Sequence, residues 1–389
     1  MIPYGRQDIS EEDISSVVDV LRSDFLTQGP KIPEFENCIK EYCGSQHAVA
    51  VNSATSALHL ACLSLGLGKG DILWTSPISF VASSNAALYC GASVDFVDID
   101  FDTNNMSVSA LQKKLVNAKK EGTLPKVVMP VHMGGYSCDM AVIHELSQEF
   151  DFKIIEDASH AVGGKYKGKP IGSCEFSHIT VFSFHPVKII TTGEGGMALT
   201  NDEHLYQKMA TLRTHGITRD KTLMHNKHEG DWYYEQLDLG LNYRMTEMQA
   251  ALGCSQMRRL DNFVSERNKH ASFYHNALSD LAVALPVKDS SIYSSYHLFI
   301  IKLESQCPAQ RRIIFDFMRK NDIGVNVHYI PIHLQPFYKS LNFKKGDFPV
   351  AEAYYDSAIS IPLYPNIGQA SLSKVSSKLG EAINFANES

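Results

Sequence analysis

The stretch that decides the fold reads Ser183-Phe184-His185-Pro186-Val187-Lys188 and continues through Ile189-Ile190-Thr191-Thr192-Gly193-Glu194-Gly195-Gly196. It follows an apolar run over 179–184, which predicts a buried strand, and it carries one lysine into a segment of small residues and glycines. Two interpretations of Lys188 are open. It either reaches from a loop to water, as lysines commonly do, or it is desolvated, so that its partly neutral amine attacks a carbonyl group. The choice depends on partners elsewhere in the chain.

Short apolar runs alternate with segments of helical periodicity around this stretch. Continuous apolar strands separated by helices are typical of a parallel sheet that is covered on both faces. The predicted strands are 48–51, 71–75, 94–99, 127–131, 152–155, 179–184 and 196–200, and the predicted helices are 10–21, 31–42, one that ends near 65, 81–89, 107–116, 140–150 and 204–213. The sequence therefore predicts an α/β protein with a mostly parallel sheet.

The chain is longer than one core usually supports, which favours a large domain and a smaller one. Residues 217–236 lack periodicity and predict a long loop. Thr246-Glu247-Met248-Gln249 has capping-box form and opens a predicted helix to about 278, in which we place the boundary. The predicted domains are 1–265, beginning with a helical segment over 1–45, and a small α+β domain over 266–389, with strands at 296–303 and 324–328 and helices at 309–320 and 372–387.

Composition and charge exclude several classes of protein. A net charge of −7 argues against a nucleic-acid-binding surface, and no apolar run is long enough to span a membrane. The N-terminus has no signal-peptide pattern, so we expect a cytoplasmic protein. The eight cysteines form no CxxC pair and are expected to be reduced. His328 and His333 do not have the spacing of a helical zinc pair, and no metal is predicted.

Two further features lie where open α/β sheets bind ligands. The turn Ser53-Ala54-Thr55-Ser56 joins a strand to a helix, and small hydroxylated residues there leave N–H groups free for a phosphate. Asp157 follows the strand that ends at 155, at the carboxyl end of the sheet. Each feature has a plainer alternative, because Thr55 or Ser56 could be only a helix cap, and Asp157 could cap the turn after it.

Taken together, these residues point to pyridoxal 5′-phosphate. This cofactor needs a lysine for its aldehyde, an anion opposite its pyridine nitrogen, donors for its phosphate and a flat group against its ring. Lys188 and Asp157 are the candidates for the first two. The turn over 53–56 together with Ser183 is the candidate phosphate site, and Phe80 is the candidate ring partner. Each element is weak alone, but their order along the chain is hard to obtain by chance.

The chain also resembles a known family, the DegT/DnrJ/EryC1/StrS sugar-nucleotide aminotransferases, which have the fold of type I pyridoxal-phosphate enzymes with a seven-stranded type of sheet. The resemblance covers essentially the whole chain, through Leu26-Thr27-Gln28-Gly29-Pro30, Asn52-Ser53-Ala54-Thr55-Ser56-Ala57-Leu58, Glu156-Asp157-Ala158-Ser159-His160, Ser183-Phe184-His185, Lys188, Gly193-Glu194-Gly195-Gly196 and Asn242-Tyr243-Arg244-Met245.

Within the family, Ile2-Pro3-Tyr4-Gly5-Arg6-Gln7, the segment 23–30 and Ser76-Pro77-Ile78-Ser79-Phe80-Val81-Ala82 are most similar to the branch that serves pseudaminic acid synthesis. That resemblance implies amination at C4 of UDP-2-acetamido-2,6-dideoxy-β-L-arabino-hexos-4-ulose, with L-glutamate as donor, to give UDP-4-amino-4,6-dideoxy-N-acetyl-β-L-altrosamine. The alternatives are another UDP- or dTDP-linked 4-keto or 3-keto deoxy sugar, and a non-catalytic regulatory protein that only binds the cofactor.

The resemblance also implies roles for individual residues. Lys188 corresponds to the lysine that bonds to the cofactor, and the 3-dehydratases of the family carry histidine at that position, which favours transamination. The remaining cofactor positions are Asp157 at the pyridine nitrogen, His160 near the 3-hydroxyl, Phe80 on the ring, and Ala54, Thr55 and Ser183 at the phosphate. For His160 the alternative is a core histidine. Asn242 corresponds to a phosphate contact from the second subunit, which implies a homodimer with shared active sites.

The implied substrate contacts lie in loops. They are Thr27, Gly29, His328, Tyr329 and His333, together with Arg213 or Arg244 for a carboxylate or diphosphate. Either arginine could instead be a structural ion-pair partner.

Overall fold

The computed structural model describes residues 1–226, 229–305 and 307–388. The helices begin and end as follows: α1 (Glu11–Leu21), α2 (Lys31–Cys43), α3 (Ala54–Ser64), α4 (Ala82–Tyr89), α5 (Val108–Glu121), α6 (Met140–Phe150), α7 (Glu203–Leu212), α8 (Glu247–Met257), α9 (Leu260–Ala277), α10 (Pro308–Lys320), α11 (Pro336–Lys339), α12 (Pro349–Ser357) and α13 (Gln369–Glu388).

The strands are mostly short. They are β1 (His47–Val51), β2 (Ile72–Thr75), β3 (Ser93–Phe96), β4 (Val127–Met129), β5 (Lys153–Asp157), β6 (Lys165–Tyr166), β7 (Lys169–Pro170), β8 (Ile179–Ser183), β9 (Gly196–Thr200), β10 (Ile217–Thr218), β11 (Glu235–Gln236), β12 (Val283–Ala284), β13 (Ile292–Tyr293), β14 (Phe299–Leu303) and β15 (Ala358–Ile361).

A seven-stranded sheet with the order β1-β9-β8-β5-β4-β2-β3 forms the centre of the molecule. Strand β9 runs antiparallel to both its neighbours, whereas the pairs from β8 to β3 are parallel. Every residue of β4, β8 and β9 is buried, as expected for strands covered on both faces. The predicted α/β fold with a mostly parallel sheet is confirmed.

The two faces of the sheet pack against different helices. On one face, Leu58 of α3 and Ala86 of α4 share a core with Ile155 of β5. On the other face, residues of α5 and α6 pack against Ile154 of the same strand. Successive side chains of a strand point to opposite faces, so adjacent residues of β5 belong to separate cores. Asp157 ends this strand, so the packing of β5 on both faces of the sheet fixes the position of Asp157.

The C-terminal part is built on the antiparallel sheet β12-β14-β15. Helix α9 connects it to the large sheet, since Phe263 and Val264 pack in a core of the large sheet and Ala271 and Tyr274 pack in the C-terminal core. The division at residue 265 remains a prediction. The N-terminal segment also reaches the C-terminal part, because the N–H of Ile2 donates to the carbonyl oxygen of Asp322 at 2.7 Å.

Two predicted elements are wrong. The helix expected to run from Thr246 to about 278 is two helices, α8 and α9, separated at Arg258 and Arg259. Arg259 at this break pairs with Asp8 and Asp13 at 2.5 Å each and so anchors the N-terminal segment. The ion pairs of Arg259 at this break join residues far apart in the chain, so local periodicity contains no sign of them.

The strand predicted at 324–328 is absent from this part of the described chain, which has only an isolated bridge from Asn326 to Ser360. The Asn326 side chain accepts the N–H of Val327 at 2.8 Å, a local bond that competes with a strand ladder. The predicted loop over 217–236 contains the short pair β10 and β11, and its residues 227 and 228 lie outside the described ranges. No helix within the described residues is long and apolar enough to cross a membrane.

Candidate active site

A cavity of about 730 Å³ opens at the carboxyl ends of β5 and β8. It draws residues from the turn before α3, the segment before α4, both strand ends and the loop after residue 325. The sequence-predicted residues that line it are Ala54, Thr55, Phe80, Asp157, His160, Ser183, Lys188, His328 and Tyr329. Parallel strands place their carboxyl ends at one edge, which is why residues distant in sequence meet here.

Lys188 lies in the turn that follows β8, where its N–H donates to the carbonyl oxygen of His185 at 2.9 Å. Burial lowers the pKa of its amine to about 8, and the negative charge of Asp157 opposes that shift. About one amine in ten is neutral at pH 7 with such a pKa, compared with far fewer for an ordinary lysine. The structure therefore favours the nucleophilic interpretation of Lys188 over the water-exposed one.

The carboxylate of Asp157 is held by hydrogen bonds to both its oxygens. The hydroxyl of Ser83 donates to Oδ2 at 2.6 Å, and the hydroxyl and N–H of Ser159 donate to Oδ1 at 2.6 Å and 3.2 Å. The side chain is buried, and a buried carboxylate is costly unless hydrogen-bond donors satisfy it, as they do here. A fixed anion therefore lies in the same cavity as Lys188.

The turn before α3 forms a cradle of backbone N–H groups. Ser53 caps the helix by accepting the N–H of Ser56 at 3.2 Å, and the N–H groups of Ala54 and Thr55 belong to the first turn, which lacks intrahelical acceptors. Gly196 passes so close that a Cβ there would lie 2.5 Å from the nitrogen of Ala54. A larger residue would therefore fill this space.

Ser183 completes the anion cradle because it pairs with Gly196 across β8 and β9. Backbone donors at a helix N-terminus and a hydroxyl opposite them suit a phosphate group. The donor set, the buried anion and the desolvated lysine together fit pyridoxal phosphate.

His160 and Tyr329 form the wall beside these groups. His160 Nδ1 accepts the N–H of Gly134 at 3.2 Å, and its Nε2 lies 3.2 Å from the hydroxyl oxygen of Tyr329. Burial, with the charges of Lys188 and His328, holds the pKa of His160 well below its ordinary value, so the ring is neutral. Phe80 is 61% exposed, and its ring centroid lies 6.3 Å from that of Tyr329. An exposed aromatic ring at a cavity is available to stack on a flat ligand.

His328 faces the cavity with a different set of partners. Its Nδ1 lies 2.8 Å from the hydroxyl of Ser360, and its ring centroid is 5.4 Å from that of Tyr4. Burial and the charge of Lys188 lower the pKa of His328 to about 4. The side chain is therefore a neutral hydrogen-bonding group near neutral pH.

Two residues predicted to bind substrate are instead part of the surrounding structure. Arg213 pairs with Glu36 at 2.6 Å and donates to the carbonyl oxygen of Ala50 at 2.8 Å. His333 is fully buried and pairs with Glu352 at 3.0 Å. Neither is among the described residues that line the cavity. The contacts of Arg213 fit the alternative in which it is a structural ion-pair partner. The predicted substrate contact of His333 is wrong, because its ring is enclosed by protein.

Four other predicted residues are not among the described residues that line the cavity. Thr27 bridges to Thr246, Gly29 packs beside Glu247, and Asn242 bridges to Thr214. Arg244 lies two residues further along the same segment. Asn242 is exposed and Arg244 is half-buried. The assignment of Thr27, Gly29, Asn242 and Arg244 to an active site therefore stays a prediction.

Several lining residues are absent from the sequence-based prediction, among them Tyr4, Ser79, His297, Asn326 and Gln335. Tyr4 and Ser79 lie within motifs that carry the family resemblance, and their place in those motifs could have identified them as site residues. His297 follows no recognisable motif and reaches the cavity through the turn before β14. Ser83, which bonds Asp157, lies on a helix with no sequence feature to distinguish it from Ser84.

Comparison with known proteins identifies the family of this chain. Residues 7–380 match the DegT/DnrJ/EryC1/StrS aminotransferase family. The chain is 38% identical over 368 residues to the UDP-4-amino-4,6-dideoxy-N-acetyl-β-L-altrosamine transaminase of Campylobacter jejuni, which is 94% of this chain and 93% of that protein.

Two solved structures are similar over nearly their whole length. Helicobacter pylori PseC, an aminotransferase involved in the biosynthesis of pseudoaminic acid, has a TM-score of 0.90 with 31% identity over 99% of each chain. The PLP-form of the Streptococcus pneumoniae sugar aminotransferase Spr1654 has a TM-score of 0.90 with 29% identity over 99% of each chain.

The family match spans nearly all of the chain, and the cavity contains the groups that its cofactor requires. The predicted family, fold, enzyme class and cofactor are confirmed. This chain belongs to the DegT/DnrJ/EryC1/StrS aminotransferase family and is a pyridoxal-phosphate-dependent sugar aminotransferase.

Proposed function

We propose that this enzyme transfers the amino group of L-glutamate to C4 of UDP-2-acetamido-2,6-dideoxy-β-L-arabino-hexos-4-ulose, giving UDP-4-amino-4,6-dideoxy-N-acetyl-β-L-altrosamine. The observation that carries the chemistry is the presence of Lys188, with its lowered pKa, in one cavity with the anchored carboxylate of Asp157. The choice of sugar is supported by the Campylobacter relative, whose name states that product. The enzyme is expected to act in the cytoplasm.

The residues of the chain divide the work between holding and proton transfer. Bound pyridoxal phosphate supplies an electron sink for the carbon that loses or gains a proton. Asp157 would hold the ring nitrogen. The phosphate would be held by Ala54, Thr55 and Ser183, and Phe80 would lie against the ring. Lys188 Nζ would remove the proton from the donor carbon of glutamate and, in the second half of the reaction, give a proton to C4 of the acceptor sugar, a task that suits an amine with a pKa near 8.

His160 and Tyr329 are proposed to bind oxygen atoms at the wall of the cavity. Because Nδ1 of His160 accepts a backbone N–H, its proton lies on Nε2 and points to Tyr329. Tyr329 then directs its own proton away from His160. A carbonyl or phenolic oxygen in the cavity is the acceptor that this orientation suits.

The direct test is turnover on a defined set of acceptors. The enzyme, loaded with pyridoxal phosphate, would be incubated with L-glutamate and UDP- or dTDP-linked 4-keto and 3-keto deoxy sugars. NMR of the product would identify the aminated carbon and its configuration. We expect the UDP-linked altrosamine product from the named 4-ulose. Amination of only dTDP-linked sugars, or of C3, would contradict the proposed substrate, and no turnover with any acceptor would favour a binding protein.

We further propose a homodimer in which Asn242 of one subunit reaches the cofactor phosphate of the other. The support is that Asn242 is exposed and does not line the cavity of its own chain. Lys188→Ala and Asn242→Asp should each be inactive alone. After subunit exchange, mixed dimers would contain one intact site, so about a quarter of the wild-type activity should return. No recovery in demonstrated mixed dimers would argue against shared sites.

A further inference from the structure

Asp157 is the end of a chain of buried hydroxyl groups. Ser79 Oγ lies 2.7 Å from Ser83 Oγ, which lies 2.6 Å from Asp157 Oδ2. All three side chains are buried, and both serines belong to the segment that leads into α4 and its first turn. Phe80 lies between them in sequence and lines the cavity. One short segment therefore contains both the predicted ring partner, Phe80, and a donor to Asp157.

The direction of the protons follows from the acceptor. An ionised carboxylate cannot donate, so the hydroxyl proton of Ser83 lies between its oxygen and Asp157. Ser83 also lies 3.3 Å from the carbonyl oxygen of Phe80, but assigning the proton there would leave two electron-rich oxygens 2.6 Å apart. With its proton committed, Ser83 accepts from Ser79. The order of donation is thus Ser79 to Ser83 to Asp157.

We infer that Ser83, oriented by Ser79, is a positioning residue that holds the carboxylate of Asp157 in place against the ring nitrogen of the cofactor. The inference rests on the proposed role of Asp157, whichever sugar is the substrate. A buried carboxylate is costly unless donors satisfy it, and hydrogen bonds in series strengthen one another. Ser159 secures the other oxygen from the chain segment next to Asp157 itself. Ser83 supplies the only donor to Oδ2 among the described residues.

The adjacent serine is a matched control. Ser84 is as buried as Ser83, and its hydroxyl lies 2.6 Å from that of Tyr338, away from Asp157. Replacing either serine with alanine removes one buried hydroxyl from the same helix. An effect on the cofactor that is specific to Ser83 therefore cannot come from loss of helix packing.

The test measures the cofactor's ring nitrogen directly. Apoprotein variants would be loaded with pyridoxal phosphate labelled with ¹⁵N in the ring, and the ¹⁵N chemical shift and the dissociation constant would be measured. Ser83→Ala should move the shift towards that of an unprotonated pyridine and weaken binding about tenfold. Ser79→Ala should move it in the same direction by less, and Ser84→Ala should match the parent enzyme.

A Ser83→Ala enzyme indistinguishable from Ser84→Ala in shift and affinity would overturn the inference. If Ser83→Ala does not fold, Ser79→Ala decides, because an unchanged shift there excludes the chain of donors. The Asp157→Asn variant distinguishes failure of the role inferred for Ser83 from failure of the role proposed for Asp157. A shift that changes in Asp157→Asn but not in Ser83→Ala refutes only the role of Ser83, whereas a shift that changes in neither refutes the role of Asp157.

Discussion

The ring of His160 and the hydroxyl of Tyr329 act as one hydrogen-bonded unit across the cavity wall, with Nε2 and the oxygen 3.2 Å apart and the rings inclined by 25°. The N–H of Gly134 occupies the other ring nitrogen at 3.2 Å. Since His160 is neutral and its Nδ1 accepts from Gly134, its Nε2–H donates to the hydroxyl oxygen of Tyr329. Tyr329 is left as a donor to whatever oxygen enters the cavity.

Removing the hydroxyl in Tyr329→Phe is expected to lower kcat on the order of a hundredfold, as for loss of a proton-donating group. His160→Ala should have an effect of similar size, and the double variant should be little worse than either, because the two residues act in series. Steady-state kinetics of the four enzymes give the coupling. Tyr338→Phe removes a buried hydroxyl outside the cavity and should retain kcat. Fully additive losses would show that His160 and Tyr329 work independently.

Borohydride reduction of the loaded enzyme should attach the cofactor to Lys188, because this amine is both desolvated and inside the cavity. Peptide mass spectrometry identifies the modified residue. Lys188→Ala should show no attachment and no turnover while keeping the circular dichroism spectrum of the parent. Lys153, an exposed lysine on β5, gives the control variant Lys153→Ala, which should still be labelled at Lys188. Labelling at another lysine in the parent would contradict the site.

The pH dependence of cofactor uptake should report the pKa of Lys188. The protonated amine is unreactive, so the rate of covalent attachment to apoprotein should rise with pH and level off above about 8, where the amine is neutral. An unperturbed lysine would continue to gain up to its ordinary value near 10.5. Stopped-flow absorbance from pH 6 to 10 measures the profile. Since Asp157 raises this pKa, Asp157→Asn should move the midpoint below 8, and a midpoint displaced upward would refute that electrostatic link.

Arg213 should contribute to stability and leave the binding of glutamate unchanged. Arg213→Met leaves Glu36 without its cation in a partly buried position, so we expect the free energy of unfolding to fall by about 2 kcal/mol. The KM for glutamate should stay within about twofold of the parent. Urea unfolding and steady-state kinetics measure the two quantities. Arg244→Met is the paired comparison, and an increase in KM only for Arg213→Met would restore Arg213 as the carboxylate ligand.

Much of the sheet could be predicted because its strands are continuous apolar runs separated by turn residues. Helix α6 and strand β9 have the predicted bounds, and α1 begins within the predicted 10–21, where Ser10 and Asp13 form a capping box. Elements defined by long-range contacts could not be predicted. The break between α8 and α9 coincides with the pairing of Arg259 with Asp8, and residues 251 positions apart leave no trace in local periodicity.

The candidate site divides in the same way. Lys188, Asp157 and the turn over 53–56 could be predicted because they follow strands whose carboxyl ends meet at one edge of a parallel sheet. Their supporting residues could not. Ser83 lies 74 positions from Asp157, and nothing in its neighbourhood distinguishes it from Ser84 until the helix is placed against β5. Arg213 and His333 have suitable chemistry for substrate binding, but their partners Glu36 and Glu352 occupy them.

The sequence by itself determined the α/β fold, the family and the order of the cofactor-binding groups, because these depend on periodicity and on motifs whose residues are neighbours in the chain. Only the tertiary structure decided which side chains share the cavity, which are enclosed in ion pairs, and how the protons of His160 and Ser83 are directed. The physical reason is that contacts between distant residues set these properties, as the burial that lowers the pKa of Lys188 shows. Burial is a property of packed elements and is absent from any single stretch of sequence.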